Sequence, residues 1–348
     1  MIGAALRLGL RFLLAGAVVA AVIALEDASR GIRQSLGHAG WSAVAALCAW
    51  QVIPISLCSL AWWRLQVGHR RSLRLFLIGR WIRDAVDTLV AIVPFSGEFA
   101  VAGLFSRFGI ATRRSAALMV ADLTCEVGSQ IVFSMAGIFL WVMLAPSGPV
   151  LRWSLIGTAV GLPAIGGFVL AQRLGLTRLI DWLSARLSPA GWRRSSIGGA
   201  IHRRLGIIYS RRSHVVCGLL LHLAAWTASA GEAYLALLFL DRPLAPIAVV
   251  AMESVIFAIR SATFLVPAGL GFQEGGYVLV GGLLGLPPEV ALSLSLLKRG
   301  RELSLGLPAL LLWQAAQFPA MQRLLYPVMA AKTEGKRSGK RSTWSMTE

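Results

Sequence analysis

Acidic side chains are scarce in this 348-residue chain: 16 Asp and Glu stand against 34 Lys and Arg, and charged residues of both signs make up only 14%. Hydrophobic residues reach 56% and mean hydropathy is +0.69. A soluble domain of any size is excluded, and a polytopic membrane protein is the class that fits. Cysteine is sparse too. Cys48, Cys58, Cys125 and Cys217 sit singly in apolar runs without C-x-x-C spacing or neighbouring His, which excludes a disulfide framework and a zinc site and leaves small buried hydrophobes. No Ser-His-Asp constellation occurs, and Gly269-x-Gly271-x-x-x-Gly275 has neither the preceding strand nor the spacing of a dinucleotide loop. Neither cofactor nor metal is expected. The net charge of +18 does not form a stripe on one face. Its arginines cluster in short segments between apolar runs, as cytoplasmic loops require, so nucleic acid is excluded as a partner.

The fold class read from these runs is all-α: a polytopic helix bundle with about six full crossings and two re-entrant hairpins. Arg7 and Arg11 precede the apolar run Phe12 to Leu25 in a first helix, about Leu6 to Leu25, that lacks a small-x-small cleavage site and stays uncleaved. Glu26 to Gly40 reads as an outer loop, and Trp41 to Trp62 returns inward to Arg64, Arg70, Arg71 and Arg74. Leu73 to Val93 enters the membrane again, yet Arg107, Arg113 and Arg114 put the chain back on the cytoplasmic side. A hairpin with its tip at Pro94-Phe-Ser-Gly97-Glu98 solves this. Its arm carries Arg80, Arg83, Asp84 and Asp87, too polar to face lipid, so protein must wrap it. Ser115 to Leu144 goes outward and Trp153 to Leu170 returns.

A basic cytoplasmic linker covers 172–213; its Leu174 to Leu187 part has the spacing of an interfacial amphipathic helix, with a solvated linker the alternative. His214 to Leu240 crosses outward, Pro246 to Val266 re-enters, and the stretch Pro267-x-Gly269-x-Gly271-x-x-Glu274 breaks the helix. In a bilayer such a break must be buried in protein or line a cavity. Glu289 marks the outer side and Val290 to Trp313 returns to the cytoplasm. The domain reading is therefore an integral membrane domain over 1–331 and a disordered basic cytoplasmic tail over 332–348. Both termini are cytoplasmic, in a bacterial inner membrane.

Two stretches can be laid on each other. Glu98 and Glu274 are 176 apart (274 − 98), as are Gly109 and Gly285, and Glu126 and Glu302. Ahead of the carboxylates the offset is 173 (267 − 94), which matches Arg80 to Glu253 and Asp87 to Arg260. The reading is a repeat, about 41–145 and 214–317, with an odd number of crossings between the copies, so that the second is inverted. Inverted repeats with broken helices meeting at the midplane are a transporter architecture.

Charged residues inside such helices are costly and mark a pathway. Asp122, Glu126 and Gln130 share one face of the long fourth segment; Lys298, Arg301 and Glu302 occupy the matching part of the last helix, with Arg299 on a different face. The candidate pathway residues are Glu98, Asp122, Glu126, Arg260, Glu274, Arg299, Arg301 and Glu302, and the hairpin breaks are Pro94, Gly97, Pro267, Gly269 and Gly271. Glu98 and Glu274 also suit capping of the arms that follow them. Arg260 and Glu253, like Arg80 and Asp87, either neutralise one another across the repeats or contact substrate. His222, Trp226 and Glu232 read as helix packing. No residue is assigned a catalytic role.

At Pro267-x-Gly269-x-Gly271-x-x-Glu274 and Leu296-Leu297-Lys298-Arg299-x-Arg301-Glu302 the chain resembles the integral membrane family related to the transmembrane region of lysylphosphatidylglycerol synthases. The resemblance covers about Leu6 to Gln317, and the second half further resembles the branch associated with hopanoid biosynthesis. The first-half element at Pro94 to Glu98 is abbreviated. The resemblance implies lipid handling: in the aminoacyl-lipid synthases this region is the flippase, and a separate soluble domain makes the product. Only a short basic tail follows the last helix here, so aminoacyl-lipid synthesis is not expected. The expected function is a flippase-like transporter of hopanoid or a related lipid working by alternating access. The alternatives are an intramembrane lipid-modifying enzyme, with Glu98, Glu274 or Glu302 as acid or base, and a non-catalytic scaffold for lipid-biosynthesis enzymes. Expected partners are membrane lipids, anionic headgroups at the basic linker and tail, and lipid-biosynthesis proteins. No nucleotide site is visible, so a drive would come from an ion gradient or from the lipid gradient.

Overall fold

The structure, a computed structural model, describes residues 26–66, 72–90, 96–144, 197–262 and 271–318, and the regular elements among them are all helical. Helix α1 runs Glu26–Leu65 but bends at Gly40 (φ 60°, ψ −173°), a backbone region open to glycine and closed to residues with a Cβ. The expected outer loop Glu26 to Gly40 is thus helical up to Ala39. Gly40 ends that first stretch, a stop signal that the mixed charge of the segment conceals.

Helix α2 (Leu73–Ala85) passes into a π-helical turn, Val86–Val90, and α3 (Ser96–Arg107) folds back on it. Gly97 N donates to Asp87 Oδ1 at 2.7 Å, and a Cβ on Gly97 would lie 2.6 Å from the Arg83 carbonyl oxygen, so only glycine lets the two arms meet here. At 1.5 Å per residue each arm is about 20 Å long, short of the roughly 30 Å hydrocarbon core. Helix α4 (Thr112–Leu144) is long. Then come α5 (Ile197–Ser210), α6 (Arg212–Phe239), α7 (Pro246–Ala262), α8 (Phe272–Leu283) and α9 (Pro288–Ala315). Helices α7 and α8 repeat the short-arm pattern, with Gly271 at φ 81° opening α8.

Packing among these helices is reciprocal. Helices α1 and α6 run antiparallel along one another: Leu65 lies against Gly218, Cys58 Sγ is 3.5 Å from His222 Nδ1, and Trp50 Nε1 donates to the Ala228 carbonyl at 2.7 Å. Helix α2 lies on α9, where Trp81 Nε1 donates to Leu305 O at 2.9 Å; α7 lies on α4, where Trp141 Nε1 donates to Ala251 O at 2.8 Å. Likewise α1 packs on α9 and α6 on α4.

Two apolar cores result. One gathers Trp62, Phe76, Phe105 and Phe108 with parts of α4 and α9; the other gathers Leu47, Trp141, Leu237, Met252 and Leu294. Outside, Val52, Val132, Phe139, Leu220, Leu279 and Leu311 are more than half exposed, an apolar girdle that suits hydrocarbon.

Three helices among the described residues are long and apolar enough to cross a membrane: Ala39–Leu65, Thr112–Leu144 and Arg212–Phe239. Together with the apolar girdle they make this a multi-pass membrane protein. The expected crossings at Leu6 to Leu25 and Trp153 to Leu170 lie outside the described residues, as do Pro94, Pro267, Gly269 and the tail 332–348. Helix α9, with 28 residues, is long enough, but its middle carries Lys298, Arg299, Arg301 and Glu302. The linker is a packed structure over its last part: Ile201 and Ile208 of α5 are buried in the first core, and Thr124 and Tyr209 share a hydrogen bond of 2.9 Å. Its amphipathic stretch Leu174 to Leu187 is outside the described residues.

Candidate functional site

Along α1, α4, α6 and α9 the two cores leave a gap. On α1 it falls between Leu47 and Trp62, on α4 between Cys125 and Trp141, on α6 between Leu219 and Ala233, and on α9 between Leu297 and Ala309. Into these gaps the sequence puts its polar residues. They line one cavity of about 410 Å³, walled by Gln51 and Cys58 of α1, Glu126 and Gln130 of α4, His222 and Glu232 of α6, and Lys298, Arg301 and Glu302 of α9. The hairpin arms add Arg80, Arg83, Asp84 and Asp87 on one side and Arg260 on the other.

In the first half two guanidinium groups hold five carboxylates. Arg83 reaches Glu98 (2.6 Å), Glu126 (3.1 Å), Asp87 (3.2 Å) and Asp84 (3.5 Å); Arg80 reaches Glu126 (2.9 Å), Asp84 (3.0 Å) and Asp122 (3.7 Å). The planar fork of arginine allows this sharing, which a lysine ammonium would not match. In the second half four cations meet four carboxylates. Lys298 Nζ lies 2.7 Å from Glu253, Arg299 bridges Glu274 (3.1 Å) and Glu302 (3.0 Å), Arg260 meets Glu302 (3.5 Å), and Arg301 grips Glu232 at 2.8 and 3.2 Å. Tyr277 donates its hydroxyl hydrogen to Glu253 at 2.6 Å and accepts from Lys298 at 2.9 Å.

The matched positions meet in matched ways. Arg80 contacts Asp122 in the first half; the positions aligned with them, Glu253 and Lys298, contact each other in the second, with the signs exchanged. Glu126 and Glu302 each take an arginine from the short helix of their own half. Among the described residues, the ion pairs of Arg80 and Arg260 given above run within their own halves. The halves meet at His222, whose Nε2 is 2.7 Å from Asp122 Oδ1.

A family model described as the lysylphosphatidylglycerol synthase TM region matches residues 9–311. The chain belongs to this family. No curated protein and no solved structure matches it. Family membership makes the function membrane-lipid related, and the part that matches is the synthases' membrane region.

Within this family member the expected pathway residues converge, with roles that sequence spacing did not resolve. Glu126, Arg260, Arg301 and Glu302 line the cavity; Asp122, Glu98, Glu274 and Arg299 stand behind them as partners. Arg299, expected on a different face from Glu302, reaches it one turn on at i+3. Glu274 does cap its helix: Gly271 N donates to its Oε2 at 2.8 Å. Among the described residues Glu98 is held by Arg83, and it is Asp87 that receives the N–H of Gly97; Glu98 Oε2 is buried with no hydrogen-bond partner. The π-helical turn is what swings Asp87 over the start of α3.

His222, Trp226 and Glu232, read as packing, belong to the wall. His222, Trp226 and Ser229 recur at i, i+4 and i+7 on one face of an otherwise apolar helix, a signal that was available. Arg83, Lys298 and Tyr277 were also left out of the candidate set, and each is central to a pair. Among the described residues, no group of three or more His, Cys, Asp or Glu is placed to hold a metal ion. What the arrangement offers is a set of fixed donors and acceptors of both signs, suited to the polar end of an amphiphile.

Proposed function

We propose that the chain is a lipid transporter of the flippase type, built from two inverted halves, about 41–145 and 214–317, that alternate around the cavity. The observation that carries this reading is the position of the cavity: it interrupts both cores halfway along four long helices, and both halves wall it. A lipid changing leaflets leaves its tails in hydrocarbon, and the costly step is taking its headgroup through the apolar centre. A cavity of about 410 Å³ holds a headgroup and not a whole lipid. Ion-paired walls exchange hydrogen bonds with it without stranding a buried charge. Reciprocal packing of α2 on α9 and α7 on α4 supports two packings of similar energy, one open to each side. In this reading the short arms at α2–α3 and α7–α8 are re-entrant and form two opposed gates. The substrate is a hopanoid or a related lipid, on the strength of the resemblance of the second half.

The test is reconstitution into vesicles carrying a fluorescent hopanoid or phospholipid in one leaflet. Wild-type protein should speed its appearance in the other leaflet with the lipid's mass unchanged, and Glu302→Gln should slow it. Transfer no faster than in protein-free vesicles, or a new covalent product, would overturn the reading.

A further inference from the structure

The two halves differ in one respect that symmetry does not explain. Among the described residues at the cavity, the second-half ion pairs join four cations to four carboxylates, whereas the first-half ones join two arginines to five carboxylates. Asp122 shows where the difference lies. Its counterpart Lys298 has a fixed ion partner, Glu253, at 2.7 Å, while Asp122 has Arg80 only at 3.7 Å and leans on the imidazole of His222 at 2.7 Å. Where Lys298 has a carboxylate partner within its own half, Asp122 has an imidazole reaching over from the other half, a group able to carry a proton.

We infer that the Asp122–His222 pair is the transporter's coupling site and binds a proton, so that lipid movement is linked to proton movement. This rests on the transport reading above. His222 is 1% exposed yet contributes to the cavity wall, which gives a proton a path from the cavity to the ring. The ring touches the first half twice, at Asp122 on α4 through Nε2 and at Cys58 on α1 through Nδ1 (3.5 Å). Behind these stand Glu126 on α4 and Arg80 on α2; across the cavity are Arg260 of α7 and Lys298, Arg301 and Glu302 of α9, with Glu232 on α6 itself. A proton on His222 makes both ring nitrogens donors and gives Asp122 a full counter-charge. It thereby fastens α6 to α4 and α1, a contact between the halves. Loss of the proton weakens that contact while the Lys298–Glu253 pair stays unchanged. The ligand thus binds one packing of the halves better than the other, which is what coupling requires.

Two measurements test this. In ¹⁵N spectra of the purified protein, the ring signal that disappears in His222→Gln should change between protonated and neutral forms over the pH range in which the protein stays folded. A ring locked in either form throughout would overturn the inference. In vesicles holding a pH-sensitive dye, an imposed gradient of fluorescent lipid should move protons, and the number of protons per lipid moved should be lost in His222→Gln and in Asp122→Asn. Lipid movement without proton movement in the wild type overturns the coupling and leaves transport standing. No lipid movement with a titrating His222 overturns the transport reading and the coupling with it. A signal that follows sodium and ignores pH would also overturn the proton assignment.

Discussion

Replacing Lys298 by methionine would leave Glu253, which is 0% exposed, facing only Tyr277. The separation of 2.7 Å between Nζ and Oε2 corresponds to a Coulomb attraction of about 6 kcal/mol at an effective dielectric near 20, part of which desolvation offsets. Removing one member of a buried pair strands the other, and costs about 3–5 kcal/mol. Lys298→Met and Glu253→Gln should each lose that much, and the double variant should lose little more than either single one, since it strands no charge. The assay is equilibrium unfolding in mixed micelles, read as helicity, arranged as a double-mutant cycle. The expected coupling is about 3 kcal/mol or more, well above the roughly 0.6 kcal/mol averaged by hydrogen bonds between membrane helices. Additive losses, with coupling no larger than that average, would refute the pair as an anchor of the second half. The argument from exchanged signs would then fall with it.

Gly137 sits where α4 meets α7, and a Cβ there would overlap the Ser254 side chain; Gly137→Ala should cost about 1–3 kcal/mol in the same unfolding assay. Adding Ser254→Gly should restore most of the loss, because the next atom, Ser254 Cα, is 3.7 Å away; an equal loss in both backgrounds would sink the close-packing account. Orientation is checked in a chain with the four native cysteines replaced: a membrane-impermeant maleimide should label Glu289→Cys on intact cells and Thr112→Cys only after permeabilisation. Labelling of both from one side would end the inverted-repeat reading.

Helix α4 was legible as Ser115 to Leu144 and is Thr112–Leu144; α6 was legible as His214 to Leu240 and is Arg212–Phe239. Hydrophobic run length shows such elements because every backbone group in hydrocarbon must be bonded inside its own segment. The helix before Gly40 was missed because its mixed charge carries no apolar run. For the site, the sequence singles out Glu126 and Glu302, whereas His222 and Glu232 read as packing. A polar side chain on a buried helix face looks the same in sequence whether it meets a neighbour or a cavity.

By itself, then, the sequence determined that this is a membrane protein whose described elements are helices, and which charged residues are too costly to be idle. Those follow from local rules: backbone satisfaction, hydropathy and the price of a buried charge. Only the tertiary structure decided the partners. Asp87 caps α3 where Glu98 was expected, Arg299 joins Glu274 to Glu302, and His222 reaches Asp122 from the other half. Ion pairing depends on distances of a few ångströms between residues up to 100 positions apart, as with His222 and Asp122. That distance is set by which helices pack together, and helix packing is a property of the whole bundle.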